Sequence, residues 1–364
     1  MTNNSFQIDR LPVRTWNQLK MNETRLDLTA PTASCGPEAV SLPAGLSWKS
    51  GGIMDPVWSQ IPTGGGPDVD RWLGEGVSAA LLETDGSGSQ SPAAIRCSYG
   101  SRADGADRIC LHAGKGAILP AILLLQSDAD ASGTAAVQIR IRAEEGAQVR
   151  LYVAELLGAD VACVCDIGGT CADNARIELV KLELGSGHLY AGVQTELDGD
   201  GSSFQADIGC RVKGGHTLDM NYVARHHGKK TRSQMNVASI LEEGSSKLFR
   251  GTIDFPKGCQ GAKGMEQENV LLLGRHQRNQ TIPLILCQEE DVEGDHGASI
   301  GRLDDQVLFY LASRGISRQA AENMIARARL DAVCALIPSE EVRDRIRRFL
   351  DPDIDTEVDG HEGL

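Results

Sequence analysis

The densest gathering of groups able to do chemistry is Glu289-Glu-Asp-Val-Glu-Gly-Asp-His-Gly297, with six ionisable side chains in eight residues. Asp295 is a hard oxygen ligand, and the neutral imidazole of His296 is a borderline ligand that suits iron. Gly294 and Gly297 flank the pair and free the backbone to aim either side chain outward. An acidic surface loop would have the same composition, so the run alone is a weak metal signal. Cys259 and Cys287 could join it only if the chain stacks coil upon coil. Cys163-Val-Cys165 puts two thiols on one face of a strand, with Cys171 close behind. Yet Val161, Cys163 and Cys165 also form a plain apolar strand face, and no second pair completes four ligands, so buried packing is expected. Arg225-His-His-Gly-Lys-Lys-Thr-Arg232 is a basic island that could hold a phosphate or an acidic partner, or be a solvated loop. No phosphate-binding G-x-x-x-x-G-K-[ST] loop and no H-E-x-x-H zinc helix occurs.

The elements that must position these groups change character along the chain. Residues 1–90 are irregular, broken by Gly51-Gly52, Gly64-Gly65-Gly66 and Asp85-Gly-Ser-Gly88, with a weak helical pattern from Val69 to Leu82. From about residue 91 the period becomes two: Val137, Ile139 and Ile141 alternate with Gln138, Arg140 and Arg142, and Val149, Leu151 and Val153 follow suit. Ile177 to Leu184 continues the pattern with Glu178, Lys181 and Glu183 read as outward, which requires a slip of phase, and so a bend or bulge, at Leu179-Val180. Small-residue corners near Gly146, Asn174, Gly201, Gly214-Gly215 and Gly244 recur at about 14 residues or its double, which favours a β-solenoid over a β-sandwich. Residues 303–350 read as three helices, the second capped by Ser317 with Ala321, Met324, Ile325, Ala328, Ala332 and Leu336 on its stripe. The tail, residues 351–364, is acidic, lacks periodicity and is expected to be disordered.

Composition narrows the function. Lys+Arg 36 against Asp+Glu 50 leaves a net charge of −14, which repels phosphate backbones and argues against a nucleic-acid partner. The longest apolar run, Ala117 to Leu125, contains Pro120 and is too short for a membrane span. The first ten residues lack the apolar stretch of a secretory signal, so the ten cysteines are expected as reduced thiols in a cytoplasmic protein.

Five segments together resemble a known family: His227-Gly-Lys-Lys-Thr-Arg-Ser233, Leu248-Phe-Arg-Gly-Thr-Ile253, Asn269-Val-Leu-Leu-Leu273, Asp295-His-Gly-Ala-Ser-Ile-Gly-Arg-Leu-Asp304 and Leu308-Phe-Tyr-Leu-Ala-Ser-Arg-Gly-Ile316. They are similar, in order, to the SufB/SufD family of the SUF iron–sulfur cluster assembly system, and Leu11-Pro-Val-Arg-Thr-Trp16 looks like the entry of SufD-type members. The resemblance implies a right-handed parallel β-helix core with a C-terminal helical domain. It also implies a non-catalytic scaffold that pairs with a SufB/SufD-type subunit, as hetero- or homodimer, and docks a SufC-like ABC ATPase, with a cysteine desulfurase nearby. A transient iron–sulfur cluster, or iron, would then sit at the subunit interface. The family histidine maps onto His296, beside Asp295, and the cysteine of SufB-type members maps onto Glu268. The SufD-type cysteine two residues before the histidine is replaced by Gly294. Leu308, Phe309, Tyr310 and Arg314 are expected to meet the partner ATPase. The competing readings are a polysaccharide-acting β-helix enzyme, disfavoured by 4% aromatics, and a purely structural solenoid.

Overall fold

In the computed structural model, which describes residues 5–351 apart from residues 16, 32, 53, 75 and 76, the chain winds into a flattened β-solenoid. The acidic tail after residue 351 and Trp16 of the entry motif lie outside the described residues. An antiparallel pair, β1 (Ser5–Ile8) and β2 (Thr24–Asp27), precedes β3 (Glu38–Ser41), β4 (Leu46–Gly52), α1 (Pro56–Ser59), α2 (Pro67–Leu73) and β5 (Ala79–Thr84). The helical pattern at Val69–Leu82 is therefore helix only as far as Leu73, and from Ala79 it is a solenoid strand.

The coils follow as β6 (Ala93–Tyr99), β7 (Gly105–Ala113), β8 (Ile118–Ser127), β9 (Ser132–Ala143), β10 (Gln148–Leu156), β11 (Asp160–Cys171), β12 (Arg176–Glu183) and β13 (His188–Leu197). They continue as β14 (Ser203–Val212), β15 (Thr217–His226), β16 (Arg232–Leu241), β17 (Ser246–Phe255), β18 (Ala262–Leu272), β19 (Arg278–Cys287) and β20 (Val292–Arg302). Alternate strands stack into two nine-stranded sheets, one ordered β20-β18-β16-β14-β12-β10-β8-β6-β3 and the other β19-β17-β15-β13-β11-β9-β7-β5-β4. Gln148, Arg176, Ser203, Arg232, Lys263 and Glu293 sit one above another, 28, 27, 29, 31 and 30 positions apart. That spacing is the doubled corner period of the sequence. Gly146, Gly201, Gly215 and Gly244 all adopt positive φ at these corners, where a side chain would be strained.

The core lies between the sheets. Val137, Ile139 and Ile141 face Val149, Leu151 and Val153, and the same alternation repeats in every coil. Each fully buried Val, Leu or Ile contributes about 1.5–3 kcal/mol, which makes the stack self-supporting without disulfides; all ten cysteines are free. The outer faces are also covered. The N-terminal segment lies against the β7–β9–β11 side, where Phe6 stacks on Trp72 with ring centroids 4.8 Å apart and the buried Arg140 pairs with Asp70. Farther along, Arg250 pairs with Asp219 and donates to the carbonyl of Met21 at 2.7 Å.

Three helices cover the opposite sheet: α3 (Asp305–Ser313), α4 (Arg318–Cys334) and α5 (Glu340–Leu350), capped by the side chains of Asp304, Ser317 and Ser339. α4 crosses β12, β14 and β16, and α5 rests on β10, so the helices grip the middle coils rather than the last one. Ala326, Leu330, Cys334, Ile337 and Ile346 pack onto Ile122, Leu124, Ala154, Val180, Leu182 and Ile240. The buried stripe of α4 is thus Ala321-Ala326-Leu330-Cys334, rotated from the expected one, and Met324 and Leu336 are exposed.

This cover explains a misread strand. β12 pairs with β10 and β14 in unbroken register, with no bulge at Leu179-Val180. Val180 and Leu182 face the helices, while Ile177, Leu179, Lys181 and Glu183 are buried inside. The apolar residues on both faces mimicked a slip of phase.

Candidate metal and partner site at the open end

Among the described residues the solenoid ends on β19 and β20, whose outer edges carry no further strand. β20 is exposed from Glu293 to Arg302, although it keeps ladder register with β18 throughout. Its alternation sorts the candidates: Gly294 and His296 pair with Gly264 and Glu266, on the face that continues the core, whereas Asp295 pairs with the exposed Met265. Asp295 and His296 are therefore both accessible but point to opposite faces of one strand. A single ion within this chain cannot take both unless the strand deforms. A Cβ on Gly294 would stand 3.1 Å from side-chain atoms of Phe255 and Ile285, so a larger residue there would share the inner face with His296. Gly297-Ala-Ser-Ile-Gly301 has the spelling of a G-x-S-x-G nucleophile elbow, but it runs extended within β20 and makes no strand-to-helix turn.

Beneath His296, one coil down, is a buried carboxyl group. Glu266 is 3% exposed, and its side chain occupies the space left by Gly251, where a Cβ would lie 1.9 Å from a carboxylate oxygen. Burial, reinforced by the neighbouring charge of Glu268 and only partly offset by Lys247, pushes the Glu266 pKa up to about 8. Glu268 does not reach the surface. It is fully buried on β18, ion-paired to Lys247 and accepting a hydrogen bond from Thr281 Oγ1 at 2.8 Å. Lys247 also donates to Ser239 Oγ at 3.2 Å.

This pair belongs to a longer file of polar groups inside the solenoid. Lys181 Nζ lies 2.8 Å from Glu183, which accepts from Tyr222 Oη at 3.3 Å. Glu155 accepts from the backbone N–H groups of Leu157, Leu184, Gly185 and Ser186. Cys163, Cys165 and Cys210 line the same interior, and desolvation raises each thiol's pKa, that of Cys210 to about 12. These thiols are protonated core groups at neutral pH, as the packing reading of Cys163 and Cys165 expects, and Cys171 is buried likewise. The charged members of the file escaped sequence reasoning because lysine and glutamate in a strand read as outward; the only signal for Lys181 and Glu183 was that they keep phase with Ile177 and Leu179.

Coil stacking does place Cys259 near Cys287, the first buried and the second exposed at the end of β19, with its Sγ 3.0 Å from the Glu289 carbonyl. Two members of the basic island are ion-paired. Arg225 reaches Asp254 at 2.9 Å and Glu196 at 3.6 Å, and His227 Nε2 lies 2.7 Å from Glu196. Glu196, Asp198 and His227 bring three potential ligand atoms within 4.8 Å of one another, a grouping that sequence distance concealed. His226 is buried between Thr231 Oγ1 at 2.7 Å and Ser233 Oγ at 2.9 Å, and desolvation lowers its pKa to about 4.

On α3, Leu308 is buried, whereas Phe309 and Tyr310 are 77% and 55% exposed, with the Arg314 guanidinium 5.2 Å from the Tyr310 ring centre. An exposed aromatic pair beside a cation is suited to a protein partner. Among the described residues no helix is long and apolar enough to cross a membrane.

The class is thus a β-solenoid closed at its first coil, clad in helices, and open at a last coil that carries carboxylates and an imidazole. Residues 98–329 match the family model for the SUF system FeS cluster assembly SufBD core domain, and the chain belongs to the SufB/SufD family. It is similar to the iron-sulfur cluster assembly protein SufD of Bacillus subtilis (strain 168), 27% identical over 179 residues, covering 49% of this chain and 41% of that one. SufD of Escherichia coli (strain K12) is 29% identical over 145 residues, 40% of this chain and 34% of that one. SufB of Bacillus subtilis (strain 168) is 26% identical over 171 residues, 47% and 37% of the two chains. The matched region spans well under half the length of each of these relatives.

Proposed function

We propose that this chain is a non-catalytic scaffold subunit for iron–sulfur cluster assembly in the cytoplasm, pairing through β19 and β20 with a SufB/SufD-type subunit. The observation that carries this reading is the long exposed edge of β20, a strand that offers a ladder of unpaired backbone groups together with Asp295 and His296. Pairing across that edge would set His296 against the other subunit, whose thiolate or carboxylate would complete the coordination of iron or a nascent cluster. Because Asp295 faces the other way, it would serve a different contact from His296. Glu268, one coil inside, would act on such a site only through its neighbours. Phe309, Tyr310 and Arg314 would dock a SufC-like ABC ATPase, with Leu308 holding α3 in place. A cysteine desulfurase would supply sulfur to the assembled complex.

Two variants test the reading in the reconstituted complex. His296→Ala should leave subunit pairing and ATPase binding intact while cluster formation is lost; normal cluster formation would remove His296 from the site. Phe309→Ala with Tyr310→Ala should abolish co-purification of the ATPase, and retained binding would refute the docking surface. Point variants are preferable to removing everything after Arg302, because α4 and α5 cover apolar strand faces that truncation would expose.

A further inference from the structure

The first coil holds a carboxylate that lacks a counter-ion. Asp107, on β7, points into the solenoid and is completely buried. Several other buried acids have evident compensation: Asp219 has Arg250, Glu268 has Lys247, Glu183 has Lys181, and Glu155 has four backbone N–H groups. Asp107 has no Lys, Arg or His partner among the described residues. Its neighbours are Ser34 Oγ, Cys35 N at 3.1 Å, Cys35 Sγ at 2.6 Å and Tyr99 Oη at 3.0 Å. Cys97, on β6, is fully buried on the same interior face, and the sulfurs of Cys35 and Cys97 and a carboxylate oxygen of Asp107 all lie within 4.8 Å of one another. Neutral donors solvate this carboxylate, and with the two sulfurs beside it the cluster offers three ligand atoms to a cation.

The backbone is arranged to bring these groups together. Cys35 comes from the segment that closes the first coil, tied down by the Ala106 N–H donating to the Ala33 carbonyl at 2.8 Å. Gly105 lets Tyr99 come close: a Cβ there would stand 2.8 Å from the ring. Cys35 is partly exposed, so the cluster is reachable from solvent.

We propose that Cys35, Cys97 and Asp107 hold a zinc-class divalent ion that fastens the N-terminal segment to the first coil, with Tyr99 as fourth ligand or as hydrogen-bond donor to the carboxylate. Two thiolates and one carboxylate are a donor set suited to such an ion, at Zn–S of about 2.3 Å and Zn–O of about 2.0–2.2 Å. Binding M²⁺ releases the two thiol protons, so the site passes from one buried negative charge with two neutral thiols to a complex of charge −1 centred on a cation. This site is at the opposite end of the solenoid from His296 and does not depend on the role proposed for that residue.

Cobalt(II) is the probe. The reduced full-length protein, kept anaerobic with a phosphine reductant, is titrated with Co²⁺ and followed by its thiolate-to-metal absorption in the near ultraviolet and by bound metal per chain. Wild type should take up one thiolate-bound equivalent, displaced by Zn²⁺. Cys35→Ser, at a partly exposed position, should lose that equivalent with unchanged circular dichroism, whereas His296→Ala and Cys287→Ser should keep it. Uptake without a thiolate band, or a band that survives Cys35→Ser, would overturn the assignment. So would a reduced wild type that takes up no metal, including one whose Cys35 and Cys97 form a disulfide on oxidation.

Discussion

Glu266 gives the most direct access to the energetics of the open end. Its carboxyl group is folded into the space above Gly251, and burial raises its pKa from 4.5 to about 8. The sign follows from linkage. Between those values the native state keeps a proton that the unfolded chain has released, so stability falls as pH rises through the interval. At about 1.4 kcal/mol per pH unit, the loss accumulates to about 5 kcal/mol by pH 8. Glu266→Gln keeps the shape and a donor group but cannot ionise. The variant should match wild type near pH 4.5 and exceed it by about 3–5 kcal/mol at pH 8 and above. Urea unfolding of both proteins at half-unit steps from pH 4.5 to 9, followed by circular dichroism, measures the difference. A stability difference that does not change with pH would show that Glu266 is not held protonated, and would refute the placement of its carboxyl group.

Other expectations follow from neighbouring buried groups. His226, with its pKa lowered to about 4, stays neutral in the fold, so its contribution is intact above pH 6.5 and is lost as pH falls toward 4; His226→Gln should flatten about 3 kcal/mol of acid destabilisation in the same urea series. Lys247→Met strands Glu268 without its cation and should cost about 3–5 kcal/mol, most of it recovered in Lys247→Met with Glu268→Met, as read by denaturant midpoints. Gly251→Ala sets a methyl group against the Glu266 carboxylate and should destabilise by about 1–3 kcal/mol, and a thermal midpoint equal to wild type would contradict the packing.

The solenoid could be read from the sequence because its inner alternation is clean: Val137, Ile139 and Ile141, then Val149, Leu151 and Val153, separated by corners of regular spacing. The helix cap at Ser317 was equally legible, since capping is a local matter of one side chain and one N–H. What failed needed knowledge of what covers each face. Lys181 and Glu183 were read as solvent-facing because each is charged, yet they neutralise each other inside. The stripe on α4 was misjudged because its partner is a sheet, which buries a different arc from the one its own alanines suggest. His296 and Asp295 were visible as a pair of ligands, but only strand register separates them to opposite faces. Cys35, Cys97 and Asp107 gave no signal at all, since a cap folding back over the first coil is invisible in local spacing.

The two ends of the solenoid differ in a way that limits how many copies can join. At the amino end, β3 and β4 run antiparallel to their neighbours, are short, and break register between Ala39 and Ser41 and between Lys49 and Gly52. Such frayed margins make poor templates for another chain. At the carboxyl end, β19 and β20 are long and regular. A polymer grows head to tail only if each unit has two compatible ends, and here only the carboxyl end presents long, regular edge strands. If the pairing proposed for β19 and β20 holds, edge-to-edge association would join two such ends and use both up, leaving blunt amino ends outward, so that a chain built by repeating coils would stop at a pair instead of elongating into a fibre.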